Sequence, residues 1–131
     1  MKTIYLFLAL TFTGFKAPPK HLLKVNFNGL STNEGQILVK IVNEKNEKIS
    51  GHKIRVKDLS AELSVELTSG SYAISAFHDI NNDDKLNTNA LGIPTEKYGF
   101  SNNARGWFGP PELSEQLVKI NGDMKINISL K

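Results

Sequence analysis

The segment Leu63-Ser64-Val65-Glu66-Leu67-Thr68-Ser69-Gly70-Ser71-Tyr72-Ala73-Ile74-Ser75-Ala76-Phe77 decides the fold. Leu63, Val65 and Leu67 alternate with Ser64 and Glu66, and Tyr72, Ile74 and Ala76 alternate with Ala73, Ser75 and Phe77. Successive side chains of a strand point to opposite faces, so a period of two gives each strand an apolar face. Ser69-Gly70 between the two runs is a turn signal.

The same period recurs on both sides of this segment. Leu23, Val25 and Phe27 carry it, as do Ile37, Val39 and Ile41, Ile54 and Val56, Leu117 to Ile120, and Ile126, Ile128 and Leu130. Asn28-Gly29, Asn33-Glu34-Gly35, Ser50-Gly51 and Asn121-Gly122-Asp123 punctuate the runs as further turn signals. The last of these predicts a closing hairpin with a glycine at positive φ. No stretch carries a helical period. About seven short strands at this spacing predict an all-β fold, an antiparallel β-sandwich of the immunoglobulin-like kind.

The N-terminus sets the compartment. Lys2 is followed by an uncharged apolar run from Thr3 to Phe15, and Lys16-Ala17-Pro18-Pro19-Lys20 then turns polar. That pattern predicts a secretory signal peptide over residues 1–17, cut near Gly14 to Ala17, and an exported, periplasmic or extracellular protein. The run falls short of the roughly 20 apolar residues that cross a bilayer, so no transmembrane span is expected in the mature chain. Residues 18–131 are read as one β-sandwich domain, because about 115 residues suffice for one hydrophobic core and not for two.

The chain has no cysteine, so disulfides and a thiol nucleophile are both excluded. Burial, or burial with a metal ion, must hold a domain this small. Lys2 and Lys16 fall in the leader, so 14 of the 16 basic residues remain against 13 acidic ones. The lysines are scattered, and no nucleic-acid partner is expected.

Residues 80–113 break the pattern. They are rich in Asn, Asp, Gly and Pro and hold the single tryptophan, Trp107. Loops of this length are uncommon in compact domains unless they are functional or disordered. Tyr98, Phe100, Trp107 and Phe108 can pack, so an ordered loop folded over one end of the sandwich is expected.

The loop opens on His78-Asp79-Ile80-Asn81-Asn82-Asp83-Asp84-Lys85-Leu86-Asn87. Asp79, Asn81 and Asp83 fall at alternate positions, with Lys85 and Asn87 at the same step. A calcium loop presents its oxygens at this spacing, from side chains at positions one, three and five and from a backbone carbonyl at seven. Asp84 replaces the usual glycine at position six, and Ala90 replaces the glutamate at twelve. Glu96, or the Asn89 amide, is the candidate to complete the shell. The ligands are hard oxygens, so calcium is the expected ion and zinc is not. A solvated turn in which Asn and Asp side chains cap their own backbone is the alternative.

A second candidate surface comprises Tyr98, Phe100, Asn102, Asn103, Arg105 and Trp107. Aromatic faces, amide donors and a guanidinium in one short span suit a glycan, a peptide or a partner protein. They also suit a loop that packs on itself. Enzyme readings lack parts. Gly99-Phe100-Ser101-Asn102-Asn103 has no second glycine of a nucleophile elbow. His78 and Asp79, adjacent on a strand, face opposite ways and cannot act as base and orienter.

Gly70-Ser71-Tyr72-Ala73-Ile74, His78-Asp79, Lys85-Leu86, Leu91-Gly92-Ile93-Pro94-Thr95-Glu96, Tyr98-Gly99-Phe100-Ser101-Asn102-Asn103 and Gly109-Pro110-Pro111 together resemble a bacterial family of small exported proteins. It is known as domain of unknown function 2141. The resemblance covers most of the mature chain. It implies an extracytoplasmic β-sandwich similar to transthyretin-like or carboxypeptidase-regulatory domains, with no established enzymatic activity. Leu113 stands where the family tends to have an aromatic, and Glu115-Gln116-Leu117 departs from its small-residue/aromatic pattern. The last strands are therefore expected to pack in their own way. The expected function is that of an exported, non-enzymatic binding module of unidentified ligand with a calcium-stabilised loop. The alternatives are a structural accessory domain without ligand and, with least support, a hydrolase.

Overall fold

A computed structural model of the chain describes Gly14 and residues 16–131; the leader expected over residues 1–17 lies almost wholly outside the described residues. Eight strands form: β1 (Lys20–Asn28), β2 (Gln36–Asn43), β3 (Lys48–Arg55), β4 (Ala61–Thr68), β5 (Gly70–Asp79), β6 (Tyr98–Phe100), β7 (Val118–Ile120) and β8 (Met124–Ser129). Among the described residues one short α-helix, α1 (Leu113–Gln116), precedes β7, and a 3-10 turn spans Ser101–Asn103.

The strands make two sheets. One has the order β4-β1-β8 and the other β3-β2-β5-β6, with β7 added beside β5. Leu23, Val25 and Phe27 of β1 lie opposite Val65, Leu63 and Ala61 of β4. Ile37, Val39 and Ile41 of β2 lie opposite His78, Ala76 and Ile74 of β5. The apolar faces meet in one core with Tyr72, Ile120, Ile128 and Leu130. Each fully buried aliphatic or aromatic side chain contributes about 1.5–3 kcal/mol, and in a chain without cysteine that burial carries the fold.

The all-β sandwich stands as the alternation predicts, with three differences of detail. β6 arises inside the region read as a loop, where Ser75, Ala76 and Phe77 pair with Phe100, Gly99 and Tyr98. Ser50-Gly51 is not a turn but part of β3; the β2–β3 turn falls at Asn43, whose Oδ1 accepts from the backbone N–H groups of Lys45 and Glu47, both at 2.9 Å.

The closing hairpin does not form. β7 pairs antiparallel with β5 in one sheet, whereas β8 pairs parallel with β1 in the other. Asp123 joins the crossing to β1, because its Oδ1 accepts from the Leu22 N–H at 2.8 Å. Gly122 consequently has no positive φ. After β8 the chain returns to the larger sheet, where Lys131 and Tyr98 exchange backbone hydrogen bonds at 3.0 and 3.1 Å. Among the described residues no helix is long and apolar enough to cross a membrane.

Candidate functional site

Asp79 ends β5 opposite Gln36 of β2, so its side chain leaves the sheet on the face away from His78. It is fully buried. Gln36 Nε2 donates to Asp79 Oδ2 at 3.1 Å. The backbone then folds back onto the same carboxylate: the Asp83 N–H donates to Oδ1 at 3.2 Å and the Asp84 N–H to Oδ2 at 3.0 Å. Asn82 and Asp84 adopt left-handed φ values of 56° and 61°, a conformation Asn and Asp tolerate. Gly35 lets the turn close, since a Cβ there would lie 2.6 Å from Ile80 Cα and closer still to the Asp79 carbonyl.

Glu96 reaches the same place from the other side. Asn87 and Thr95 pair through the Thr95 N–H and the Asn87 carbonyl at 2.8 Å, and Asn89 Oδ1 caps the turn between them by accepting from Leu91 N and Ile93 N. Glu96 is thereby buried beside Asp79. It accepts from the Ile80 N–H at 2.8 Å and from the Asn87 N–H at 2.9 Å, holding both ends of the turn. Asp79, Asp83 and Glu96 each offer a carboxylate oxygen, and these lie within 4.8 Å of one another.

The charge at this point is concentrated. Among the described residues the single ion pair is Lys53–Asp84 at 2.9 Å, so no cationic side chain pairs with Asp79, Asp83 or Glu96. Burial pushes the Asp79 carboxyl up, but the Gln36 amide and the Asp84 and Asp83 N–H groups outweigh it and leave the group below the ordinary aspartate value.

Asn81 lies between two of these carboxylates. Turned with its NH₂ towards them, its amide donates to Asp79 Oδ1 and Asp83 Oδ1, each at 3.0 Å, and accepts from Asn87 Nδ2 at 2.9 Å. Lys85 is exposed and gives its N–H to Asp83 Oδ1 at 3.0 Å. The fold thus gathers Asp79, Asn81, Asp83, Asn87 and Glu96 at one point, and meets Lys85 only through its backbone.

The second set of candidates separates. Tyr98 and Phe100 stand edge to face, 5.9 Å apart at 79°, on the outer face of the five-stranded sheet. The Arg105 guanidinium sits 4.8 Å over the Tyr98 ring and donates to the Tyr98 carbonyl at 2.9 Å. Asn102 and Asn103 are committed to the fold. Asn102 Nδ2 donates to the Glu115 and Leu117 carbonyls, and Asn103 Oδ1 accepts from the Ser129 N–H. Trp107 and Phe108 do not pack and are 95% and 103% exposed. Ser101 is buried, donates to the Gln116 carbonyl and accepts from the Ile74 N–H.

Tyr98 and Phe100 line an outer-face cleft of about 620 Å³ together with Leu38, Phe77 and Leu86. Sequence reasoning missed Leu38 and Phe77 as site residues. Their signal was present, because β2 and β5 carry Leu38, Val42, Ala73 and Phe77 at the positions that alternation reserves for polar side chains. No curated protein and no solved structure matches the chain. Residues 25–128 match the family model described as an uncharacterized protein conserved in bacteria (DUF2141), and the chain belongs to that family.

Proposed function

We propose that this protein is an exported, non-enzymatic binding module whose long loop is clamped by a calcium ion. The observation that carries the reading is the convergence of Asp79, Asp83 and Glu96 within 4.8 Å with no pairing cation among the described residues. Calcium takes six to eight hard oxygens at about 2.3–2.6 Å, and carboxylates with one amide carbonyl match that preference. Asn81 gives the site two states. In the ion-free loop its NH₂ bridges the carboxylates; rotating the amide by half a turn presents Oδ1 about 3 Å from both, a spacing neighbouring calcium ligands adopt. Glu96 stands in for the glutamate that position twelve lacks. The Ser101 hydroxyl supports the non-enzymatic reading, because it is buried and its proton is given to the Gln116 carbonyl.

A structural domain without a ligand has its own support. Among the described residues no buried side-chain polar atom lacks a hydrogen-bond partner. Calorimetric titration of chelator-treated protein separates the two. At a Kd of about 10⁻⁴ M, the range of extracellular calcium modules, about 5 mM calcium adds roughly 2–2.5 kcal/mol of stability. We expect binding heat and a raised Tm, both abolished in the Asp79→Ala/Asp83→Ala double variant. Asn81→Asp should lower the Tm without calcium and enlarge the rise with it. Neither heat nor a rise at millimolar calcium would refute the calcium clamp and leave the accessory-domain reading.

A further inference from the structure

The outer face of the five-stranded sheet is apolar along much of its length, yet the chain roofs only part of it. Across β2, β5 and β6 one row reads Leu38, Phe77, Tyr98 and the next reads Lys40, Ser75, Phe100. The row after that pairs Val42 with Ala73, which are 6% and 2% exposed beneath residues 110–116. Leu38 and Phe77 have no such cover, Phe100 only borders residues 110–116 and Tyr98 carries the Arg105 guanidinium, and all four side chains remain half-exposed. The cleft above them holds about 620 Å³, within the roughly 300–1,000 Å³ of small-ligand sites. Leu86 of the acidic loop walls one end.

The charge around this floor has one sign. The ionisable groups lining it, apart from the Tyr98 phenol and the His52 imidazole, are Lys40, Lys48 and Lys53, and no carboxylate faces it. Lys53 is tied to Asp84, while among the described residues Lys40 and Lys48 have no ion-pair partner. Both flank Gly51. Lys40 is its cross-strand neighbour, and a Cβ at Gly51 would lie 3.4 Å from Lys48 Nζ. The missing side chain leaves room for the Lys48 ammonium at the edge of the aromatic floor, with Lys40 on the neighbouring strand lining the same cleft.

We propose that this cleft binds a small amphipathic organic anion, its apolar body lying on Leu38, Phe77 and Phe100 and its anionic head held by Lys40 and Lys48. Apolar burial supplies the affinity and the two lysines orient the ligand. The proposal is independent of the calcium clamp, because strands form the floor and the lysines come from β2 and β3.

Two fluorescent probes with the same aromatic body test it: 8-anilinonaphthalene-1-sulfonate, which is anionic, and N-phenyl-1-naphthylamine, which is neutral. The anionic probe should bind saturably and more tightly. Lys40→Glu/Lys48→Glu changes only exposed side chains. It should weaken the anionic probe by about tenfold or more while moving the neutral one less than about twofold. Leu38→Lys should weaken the neutral probe, which locates binding on the floor. The proposal is overturned if the anionic probe shows no saturable binding, or if charge reversal weakens both probes alike or neither. A dimer in sedimentation velocity that excludes the probe would give the face to a second copy and also overturn it.

Discussion

Replacing Glu96 by alanine tests whether the acidic turn is held as its geometry requires, in protein stripped of metal. Glu96 is 7% exposed, and its carboxylate accepts two backbone hydrogen bonds, from Ile80 at 2.8 Å and Asn87 at 2.9 Å. A hydrogen bond to a charged group contributes about 1.5–3 kcal/mol net, and the orphaned N–H groups lie near enough to the surface to recover part of that from water. We therefore expect Glu96→Ala to cost about 2–4 kcal/mol, which lowers Tm by roughly 8–20 °C in a domain of this size. Glu96→Gln should cost about half as much, since its amide oxygen still accepts one bond while its NH₂ meets the other donor. Thermal denaturation in chelator reads the stability, and amide hydrogen exchange at Ile80 and Asn87 reads the cause. A Tm within about 2 °C of the parent, with both amides still protected, would refute the clamp.

Gly99 of β6 should not accept a side chain without loss of stability. A Cβ there would lie 2.7 Å from the Ser129 carbonyl oxygen, 2.9 Å from Leu130 Cδ2 and 3.1 Å from Ile128 Cγ2, so Gly99→Ala should cost about 1–3 kcal/mol by overpacking. Gly70→Ala meets only the Tyr72 ring at 3.5–3.6 Å and serves as the matched control; equal melting temperatures for the two variants would refute the close approach of β6 and β8. Acid should also weaken the ion-free fold through Asp79. Its folded pKa is depressed, so its contribution is complete above the unfolded value of about 3.9 and disappears as pH falls through the folded one. Urea midpoints between pH 7 and pH 3 should fall less steeply for Asp79→Asn than for the parent, and parallel curves would remove Asp79 from the account.

How much of this was legible in the sequence depends on the distance over which each feature is decided. Faces were legible, because Leu23, Val25 and Phe27 or Ile37, Val39 and Ile41 need only a local period of two to declare which side is buried. Neighbours were not. Asn121-Gly122-Asp123 carries the local chemistry of a hairpin, but β8 pairs with β1 in the other sheet, where the Leu22 N–H donates to Asp123 Oδ1, 101 residues away in sequence. β6 escaped notice for a related reason. Three residues are too few to establish a period, and Tyr98-Gly99-Phe100 becomes a strand only because β5 offers it an edge.

The two candidate sites divide along the same line. The acidic turn was readable since Asp79, Asn81 and Asp83 sit within five residues, and the one distant member, Glu96, is the carboxylate the short-range spacing left missing. The cleft draws Leu38, Phe77 and Phe100 from three strands, so no local motif encodes it. Its trace is a violation of pattern. Outward-facing Leu38, Val42, Ala73 and Phe77 make β2 and β5 apolar on both sides, which a two-sheet sandwich with one core does not require. Residues 110–116 answer that surplus over Val42 and Ala73 and stop short of Leu38 and Phe77. Apolar surface left beside two lysines that have no ion-pair partner among the described residues calls for an occupant that carries both an apolar body and a negative charge.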